Sequence, residues 1–198
     1  RERELRDGYR EFSGSKNDGK VHVVGHAHLD LVWLWPEEES YRKASHTFAT
    51  VLRLMEEYPE LRFQHSSPLL FRKLEERNPD LYQAVVRRSE EGRWELSGAM
   101  ELESDVLLTS GEGLIRSLAF GQRFYRERTG APSKLLWLPD VFGYPSCLPQ
   151  LMRQAGVEQF YTTKLYWSSV TRFPHTLFRW RSHDGSEVTA YLSPVGYD

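Results

Sequence analysis

The chain has 198 residues, 27% of them charged, and a formal net charge of −2 at pH 7. This length is sufficient for one well-buried core without requiring two domains, and the near-neutral charge gives no indication of electrostatic binding to nucleic acid or to an anionic membrane. Cys147 is the only cysteine, which excludes an internal disulfide and a multi-cysteine zinc site, so a metal site here needs histidine and carboxylate ligands.

Strand-like and helix-like segments alternate along most of the chain. Residues 1–19 are polar and predict an N-terminal tail or linker, followed by one domain over residues 20–198. Apolar runs and helical spacing predict, in chain order, strand Lys20–Val24, helix Glu37–Tyr58, strand Leu61–Gln64, helices Pro68–Glu76 and Asp80–Glu91, strand Arg93–Ser97, a helix from the capping-box spacing Thr109–Glu112 to Gly130, strand Leu135–Leu138, helix Pro149–Ala155 and strand Gln159–Thr163.

The last part of the chain predicts a β-hairpin. Leu177–Arg181 and Glu187–Leu192 flank Asp184-Gly185, a pair that is typical of two-residue turns. The alternation before this hairpin predicts an α/β fold, with a mostly parallel sheet and flanking helices. Ligands bind beyond the carboxyl ends of the strands in such sheets, so polar residues that follow strands are candidate site residues.

The segment His26-Ala-His-Leu-Asp30 follows the first predicted strand. Side chains alternate along extended backbone, so residues 26, 28 and 30 are expected on one side. Two imidazoles and a carboxylate suit a borderline divalent metal such as zinc. The alternatives are a hydrogen-bonded histidine pair and an aspartate that caps the next helix.

A second candidate segment, Trp137 to Tyr144, follows the fourth predicted strand and contains Asp140. Alone, this aspartate is typical of a helix N-cap, but it lies on the same predicted sheet edge as His28 and Asp30 and can complete a metal site with them. Lys164 ends the fifth strand and is either a hydrogen-bond donor at the same edge or an exposed surface lysine.

The remaining polar candidates carry weaker signals. Glu103 and Asp105 can serve the site, but a solvated loop is the favoured location for both. The other histidines lack ligand spacing and are expected to be structural or exposed: His22, His46, His65, His175 and His183.

Several short motifs occur in order across residues 20–192. They are Gly25-His-Ala-His-Leu-Asp30, Trp33-Leu-Trp-Pro36, Trp94-Glu95 with Gly98, Glu103-x-Asp105, Ser110-Gly-Glu112, Gly121-Gln122, Trp137-Leu-Pro-Asp-Val-Phe-Gly-Tyr144, Leu148-Pro-Gln150, Lys164-Leu-x-Trp167, Phe173-Pro-His175 and Asp184-Gly-Ser186. With them the chain resembles glycoside hydrolase family 38, the metal-dependent retaining α-mannosidases, and in particular the branch with the cytosolic neutral α-mannosidase and its bacterial relatives.

The resemblance implies roles for individual residues. His28, Asp30 and Asp140 bind one divalent metal, with zinc expected and cobalt as an alternative, and Asp140 is also the nucleophile that forms a mannosyl-enzyme intermediate. Trp33 lines the sugar subsite, and His26 supports the site without binding the metal. The substrate-binding set implied here is Trp33, Phe142 and Lys164.

The resemblance also implies that the chain is the N-terminal part of a (β/α)7-barrel-like catalytic domain. A further histidine ligand and an aspartate acid/base are expected downstream of residue 198, so the chain is expected to be truncated. The implied enzyme is cytoplasmic and cleaves terminal α-linked mannose from oligosaccharides, with no nucleic-acid or membrane partner, and a homo-oligomeric full-length protein is compatible with it.

Three positions depart from the family pattern, and other functions stay open. Glu101 stands where relatives usually carry tryptophan, and Leu107 and Thr109 replace an asparagine and a proline, all near the expected site. The alternatives are a mannosylglycerate hydrolase-type glycosidase, a metal-dependent polysaccharide deacetylase that uses Asp140 as a base, and an inactive sugar-binding fragment.

Overall fold

Strands and helices alternate along residues 22–193, the part of the chain that the computed structural model describes. The strands are β1 Gly25–His26, β2 Phe63–His65, β3 Trp94–Leu96, β4 Leu135–Trp137, β5 Gln159–Thr162, β6 Leu177–Arg181 and β7 Glu187–Leu192. The helices are α1 Glu37–Glu57, α2 Pro68–Arg77, α3 Pro79–Glu90, α4 Gly111–Thr129 and α5 Leu148–Gln154, with a short 3₁₀ turn at Lys164–Tyr166. The predicted tail at residues 1–19 lies outside the described residues.

The strands form two sheet segments that meet at one backbone bridge. β1, β2 and β3 pair in parallel in that order, and β4, β5 and β7 form a second parallel run. β6 pairs antiparallel with β7 at the outer edge. A parallel bridge between Gly98 and Leu136 joins the two segments just beyond β3. The predicted α/β class with a mostly parallel sheet is therefore confirmed.

The first strand lies later in the sequence than predicted. β1 consists of Gly25 and His26, whereas Val23 and Val24 are outside it and are 82% and 53% exposed. The strand pairs through Gly25 with Phe63 and through His26 with Gln64. The apolar residues Val23 and Val24 predicted a strand, but β2 pairs only with the two residues that follow them.

Two local predictions need correction. Ser110, not Thr109, caps α4, because its hydroxyl accepts a hydrogen bond from the backbone N–H of Gly113 at 3.1 Å. The predicted hairpin is present, but its last paired residues are Arg181 and Glu187, so its loop is longer than two residues. Within that loop, the backbone N–H of Ser182 donates to the carbonyl of Ser186.

Each sheet segment packs against its own apolar cluster. The first cluster lies between β1–β3 and helices α1–α3, and its fully buried rings include Phe48, Phe71 and Trp94. The second surrounds β4, β5 and β7 and includes Leu136 and Phe160. Among the described residues, no helix is both long enough and apolar enough to cross a membrane.

Helix α4 packs closely on the backbone that joins β3 to the rest of the sheet. A Cβ atom at Gly121 would lie 2.7 Å from the backbone nitrogen of Glu101 and inside van der Waals contact of the Ala99 carbonyl. The next residue, Gln122, is buried and hydrogen-bonds the backbone of Ser133 through both ends of its amide. The position of α4 therefore depends on the absence of a side chain at Gly121.

We predict that Gly121→Ala destabilises the protein. The new methyl group meets backbone atoms that cannot rotate away, and such overpacking costs about 1–3 kcal/mol of unfolding free energy. The better helix propensity of alanine offsets at most roughly 1 kcal/mol of this cost. The thermal unfolding midpoint of the full-length protein measures the effect. Gly111→Ala is the matched control, since a Cβ there meets no atom within 4 Å. Equal midpoints for the two variants would contradict this packing argument.

Candidate active site

The segments after β1, β4 and β5 meet at one edge of the sheet. Asp140 lies three residues beyond β4, in a turn whose backbone is tied to β5. The Leu138 N–H donates to the Tyr161 carbonyl at 3.0 Å, and the Thr163 hydroxyl donates to the Pro139 carbonyl at 2.7 Å. These bonds fix the turn on both sides of Pro139, and thus fix the backbone that carries Asp140.

His28 is the central side chain of this edge. Its Nε2 atom lies 3.4 Å from Oδ1 of Asp30 and 3.3 Å from Oδ2 of Asp140. Its Nδ1 atom, on the other side of the ring, lies 2.7 Å from Oε2 of Glu103. The side chain is 13% exposed. The predicted juxtaposition of residues 28, 30 and 140 is therefore present in the geometry of the site.

The acidic neighbours determine the pKa of His28. Burial alone lowers this pKa, but the hydrogen bond to Glu103 and the charges of Glu103, Asp30 and Asp140 outweigh burial and raise it to about 9. The imidazole lies in a strongly anionic environment, which is the kind of environment that attracts a cation.

Lys164 is buried beside Asp140. Its Nζ atom lies 2.6 Å from Oδ1 of Asp140, and its side chain is only 5% exposed. The ammonium group also lies 3.6 Å from the ring centroid of Trp167 and 5.0 Å from that of Phe142. The alternative of an exposed surface lysine is therefore wrong for residue 164.

His26 has both ring nitrogens engaged away from the His28 group. The indole N–H of Trp137 donates to Nε2 of His26 at 3.2 Å, so Nδ1 carries the proton and donates to the Gln64 carbonyl at 3.1 Å. Burial lowers the pKa of His26, which keeps the ring neutral. Through these bonds His26, which lies on β1, connects to both β2 and β4.

Glu103 lies in a different environment from the one predicted for it. Its side chain is 10% exposed and contacts His28, so the expectation of a solvated loop is wrong for this residue. Asp105, two residues later, is exposed, and its Oδ1 atom accepts hydrogen bonds from the backbone N–H groups of Leu107 and Leu108. Only the Glu-x-Asp spacing in the family motif hinted at Glu103, because its contact with His28 joins loops 75 residues apart.

A cavity of about 160 Å³ opens onto this group of side chains. The residues that line it are His28, Asp30, Glu103, Asp105, Asp140, Val141 and Phe142. Trp33 is not among them; its ring is 63% exposed and packs edge-on against Trp35 at 5.2 Å. Of the three predicted substrate-binding residues, Phe142 therefore lines the cavity, whereas Trp33 and Lys164 are not among its lining residues.

The donor set fits a divalent cation. His28, Asp30 and Asp140 each offer one ligand atom, and these three atoms lie within 4.8 Å of one another. Metal–ligand bonds of about 2.0–2.1 Å in a regular tetrahedron place ligand atoms roughly 3.3–3.4 Å apart. The two distances from Nε2 of His28, 3.4 and 3.3 Å, agree with this spacing. One nitrogen and two carboxylate oxygens are also chemically suited to such an ion.

The three departures from the family pattern lie in different places. Glu101 pairs with Arg72 on α2 and is not among the residues that line the cavity. Leu107 does lie near it, since its Cδ1 atom would be 2.6 Å from a Cβ at Gly143 in the Asp140 turn. Thr109 lies just before α4, and its Cγ2 atom would be 2.6 Å from a Cβ atom at Gly113.

Of the other histidines, His65 is buried in the first apolar cluster. Its ring packs against Phe48 and Phe71, and burial lowers its pKa to about 3, so it stays neutral. This location agrees with the structural role predicted for it. None of the remaining histidines belongs to the metal-binding group found among the described residues.

The sequence matches one family over most of its length. Residues 18–198 match the family model described as glycosyl hydrolases family 38 N-terminal domain. The chain is 37% identical over 181 residues to alpha-mannosidase G from Dictyostelium discoideum and equally to alpha-mannosidase 2C1 from Homo sapiens. Each alignment covers 91% of this chain but 17% of the relative, so the chain spans about a sixth of the length of these curated proteins.

Solved structures share the fold. The crystal structure of an alpha-mannosidase from Enterococcus faecalis superposes with a TM-score of 0.74 at 23% identity. The match covers 88% of this chain and 20% of that protein. At this level of identity the likeness concerns the fold, which agrees with the α/β architecture described above.

We predict that Asp30→Asn in the full-length protein weakens binding of a divalent metal. An amide oxygen is a poorer, uncharged ligand, so we expect at least about a tenfold rise in the dissociation constant for zinc, measured by competition with a chelator. The control is Asp105→Asn, which removes a nearby negative charge but keeps the acceptor oxygen for the Leu107 and Leu108 amides. An equal effect of both variants would indicate that general charge, not ligation, governs binding.

Proposed function

The chain belongs to glycosyl hydrolase family 38, and we propose that it forms the N-terminal part of the catalytic domain of a retaining, metal-dependent α-mannosidase. The observation that carries this proposal is the position of the Asp140 carboxylate. One oxygen lies 3.3 Å from Nε2 of His28, and the other lies 2.6 Å from Nζ of Lys164. A carboxylate shared in this way is suited to serve a metal and a reacting carbon together.

In this proposal Asp140 is the nucleophile. One carboxylate oxygen forms a bond to the anomeric carbon of mannose, while the bond from that carbon to the leaving oxygen breaks and this oxygen takes a proton from a general acid. Water then adds to the same carbon, its proton passes to the conjugate base of that acid, and the ester bond to Asp140 breaks. Two inversions give overall retention.

His28, Asp30 and Asp140 hold the metal, for which zinc is proposed and cobalt is the alternative. When bound, the ion would orient sugar hydroxyls and stabilise negative charge close to the reacting carbon. The distances of 3.4 and 3.3 Å from Nε2 of His28 to Asp30 and Asp140, and the three carboxylates around this imidazole, support a cation at this place. The acid/base and the remaining ligand are expected from residues that follow the chain.

Lys164 and the aromatic residues hold the substrate and the nucleophile. The Lys164 ammonium stabilises and orients the Asp140 carboxylate, and the rings of Trp167 and Phe142 restrict where this ammonium can lie. Phe142 is 65% exposed and lines the cavity, so its ring can pack against the apolar face of a sugar. The exposed ring of Trp33, which lies outside this cavity, is proposed to line the sugar subsite.

The biological setting follows from the same proposal. The substrate is a mannose-containing oligosaccharide, since the matched relatives from Dictyostelium discoideum and Homo sapiens are both named alpha-mannosidases. Cytoplasmic location remains a prediction from the branch that the sequence resembles. The linkage and the leaving sugar depend on the site rim, where Leu107 is the family departure that lies close to the Asp140 turn.

We predict that a 2-fluoro mannoside with a good leaving group labels Asp140 in the full-length protein. The fluorine slows both steps, and the reactive leaving group keeps the first step faster than the second, so the covalent sugar accumulates. Mass spectrometry of the digested protein locates the added fluoromannosyl group.

The control for labelling is Asp105→Asn, which should still be labelled at residue 140. A label on a different carboxylate would contradict the assignment of the nucleophile. Hydrolysis of an aryl α-mannoside without any adduct would contradict the covalent route, and absence of both would favour the deacetylase or the sugar-binding alternative.

A further inference from the structure

Glu103 connects His28 to the end of a neighbouring strand. Its Oε2 atom lies 2.7 Å from Nδ1 of His28. Its Oε1 atom accepts a hydrogen bond of 2.6 Å from the hydroxyl of Ser66, which directly follows β2. Because 10% of the side chain is exposed and both oxygens have partners, the carboxylate has little freedom to move.

The contact with Glu103 determines which nitrogen of His28 carries the proton in the neutral imidazole. An ionised carboxylate can only accept, so a proton shared across the 2.7 Å contact with Glu103 belongs on Nδ1 of His28. In the neutral imidazole the lone pair is then on Nε2, which is the atom 3.4 Å from Asp30 and 3.3 Å from Asp140. Glu103 lies on the opposite side of the ring and is not part of the group of ligand atoms.

Ser66 is held in place by a close approach of two backbone segments. A Cβ atom at Gly98 would lie 2.7 Å from the Cβ of Ser66, and the positive φ of +143° also favours glycine at this position. Gly98 forms the bridge to Leu136 that joins the two sheet segments. The backbone at Gly98 therefore contacts both β4, through Leu136, and Ser66, the residue whose hydroxyl donates to Glu103.

We propose that Glu103 is a positioning residue that acts through His28, with Ser66 as its anchor. It fixes the rotation and the tautomer of the imidazole and increases the electron density that Nε2 offers to a metal. This inference rests on the proposed metal site and deepens it, because it adds a carboxylate outside the group of metal-ligand atoms.

The test is the zinc affinity of the metal-free full-length protein and its variants. We expect Glu103→Ala to raise the dissociation constant about 10–100-fold. Glu103→Gln should recover part of this loss, because the amide oxygen can accept from Nδ1 of His28 while the amide nitrogen donates to Ser66. The visible spectrum of the cobalt-loaded protein should change in Glu103→Ala, since a rotated imidazole alters the ligand geometry.

The matched control is Glu101→Gln, which removes a carboxylate two residues away that pairs with Arg72 on α2. It should leave zinc affinity and the cobalt spectrum unchanged. Ser66→Ala tests the same contact from the other end and should weaken zinc binding by a few-fold. It also keeps the inference testable if Glu103→Ala lowers the unfolding midpoint of the metal-free protein.

Two failures are distinguishable. Wild-type protein that binds zinc tightly, with Glu103→Ala and Ser66→Ala binding it within twofold as well, would overturn the role of Glu103 and leave the proposed function standing. Wild-type protein that hydrolyses α-mannosides without binding zinc or cobalt would overturn the metal site and this inference together.

Discussion

The Asp140 carboxylate lies between an imidazole and an ammonium group that come from different strands, and the parallel sheet is what brings them there. His28 follows β1, Asp140 follows β4 and Lys164 follows β5. A buried charge without a partner costs several kcal/mol, so each group depends on the others to be tolerated at low exposure. The arrangement is stable only while the three strand ends keep their relative positions.

A backbone bridge and the His26 side chain hold the strand ends in these relative positions. Among the described residues, the two sheet segments are joined by one backbone bridge, which pairs Gly98 with Leu136 of β4. His26 adds a side-chain connection, since it receives a hydrogen bond from Trp137 of β4 and donates to the carbonyl of Gln64 in β2. The neutral His26 therefore links β2 and β4 through its two ring nitrogens.

The sequence was sufficient to predict the main juxtaposition, because hydrophobic patterning gives the approximate strand ends and the carboxyl ends of parallel strands lie at one edge of the sheet. His28, Asp30 and Asp140 come together as the parallel topology requires. Burial of Lys164 and the location of Glu103 were not predictable in this way, since both depend on loop conformations set by distant contacts. The first strand was misplaced because Val23 and Val24 are apolar but lack a pairing partner on β2.

The most direct test is a crystal structure of the full-length protein grown with zinc, with anomalous diffraction recorded at the zinc edge. We expect a peak bonded at about 2.0–2.2 Å to Nε2 of His28 and to carboxylate oxygens of Asp30 and Asp140, with Glu103 on Nδ1 of the same ring. A peak bonded to His26, or to Nδ1 of His28, would contradict it. So would a zinc ion that leaves Asp140 outside its ligands.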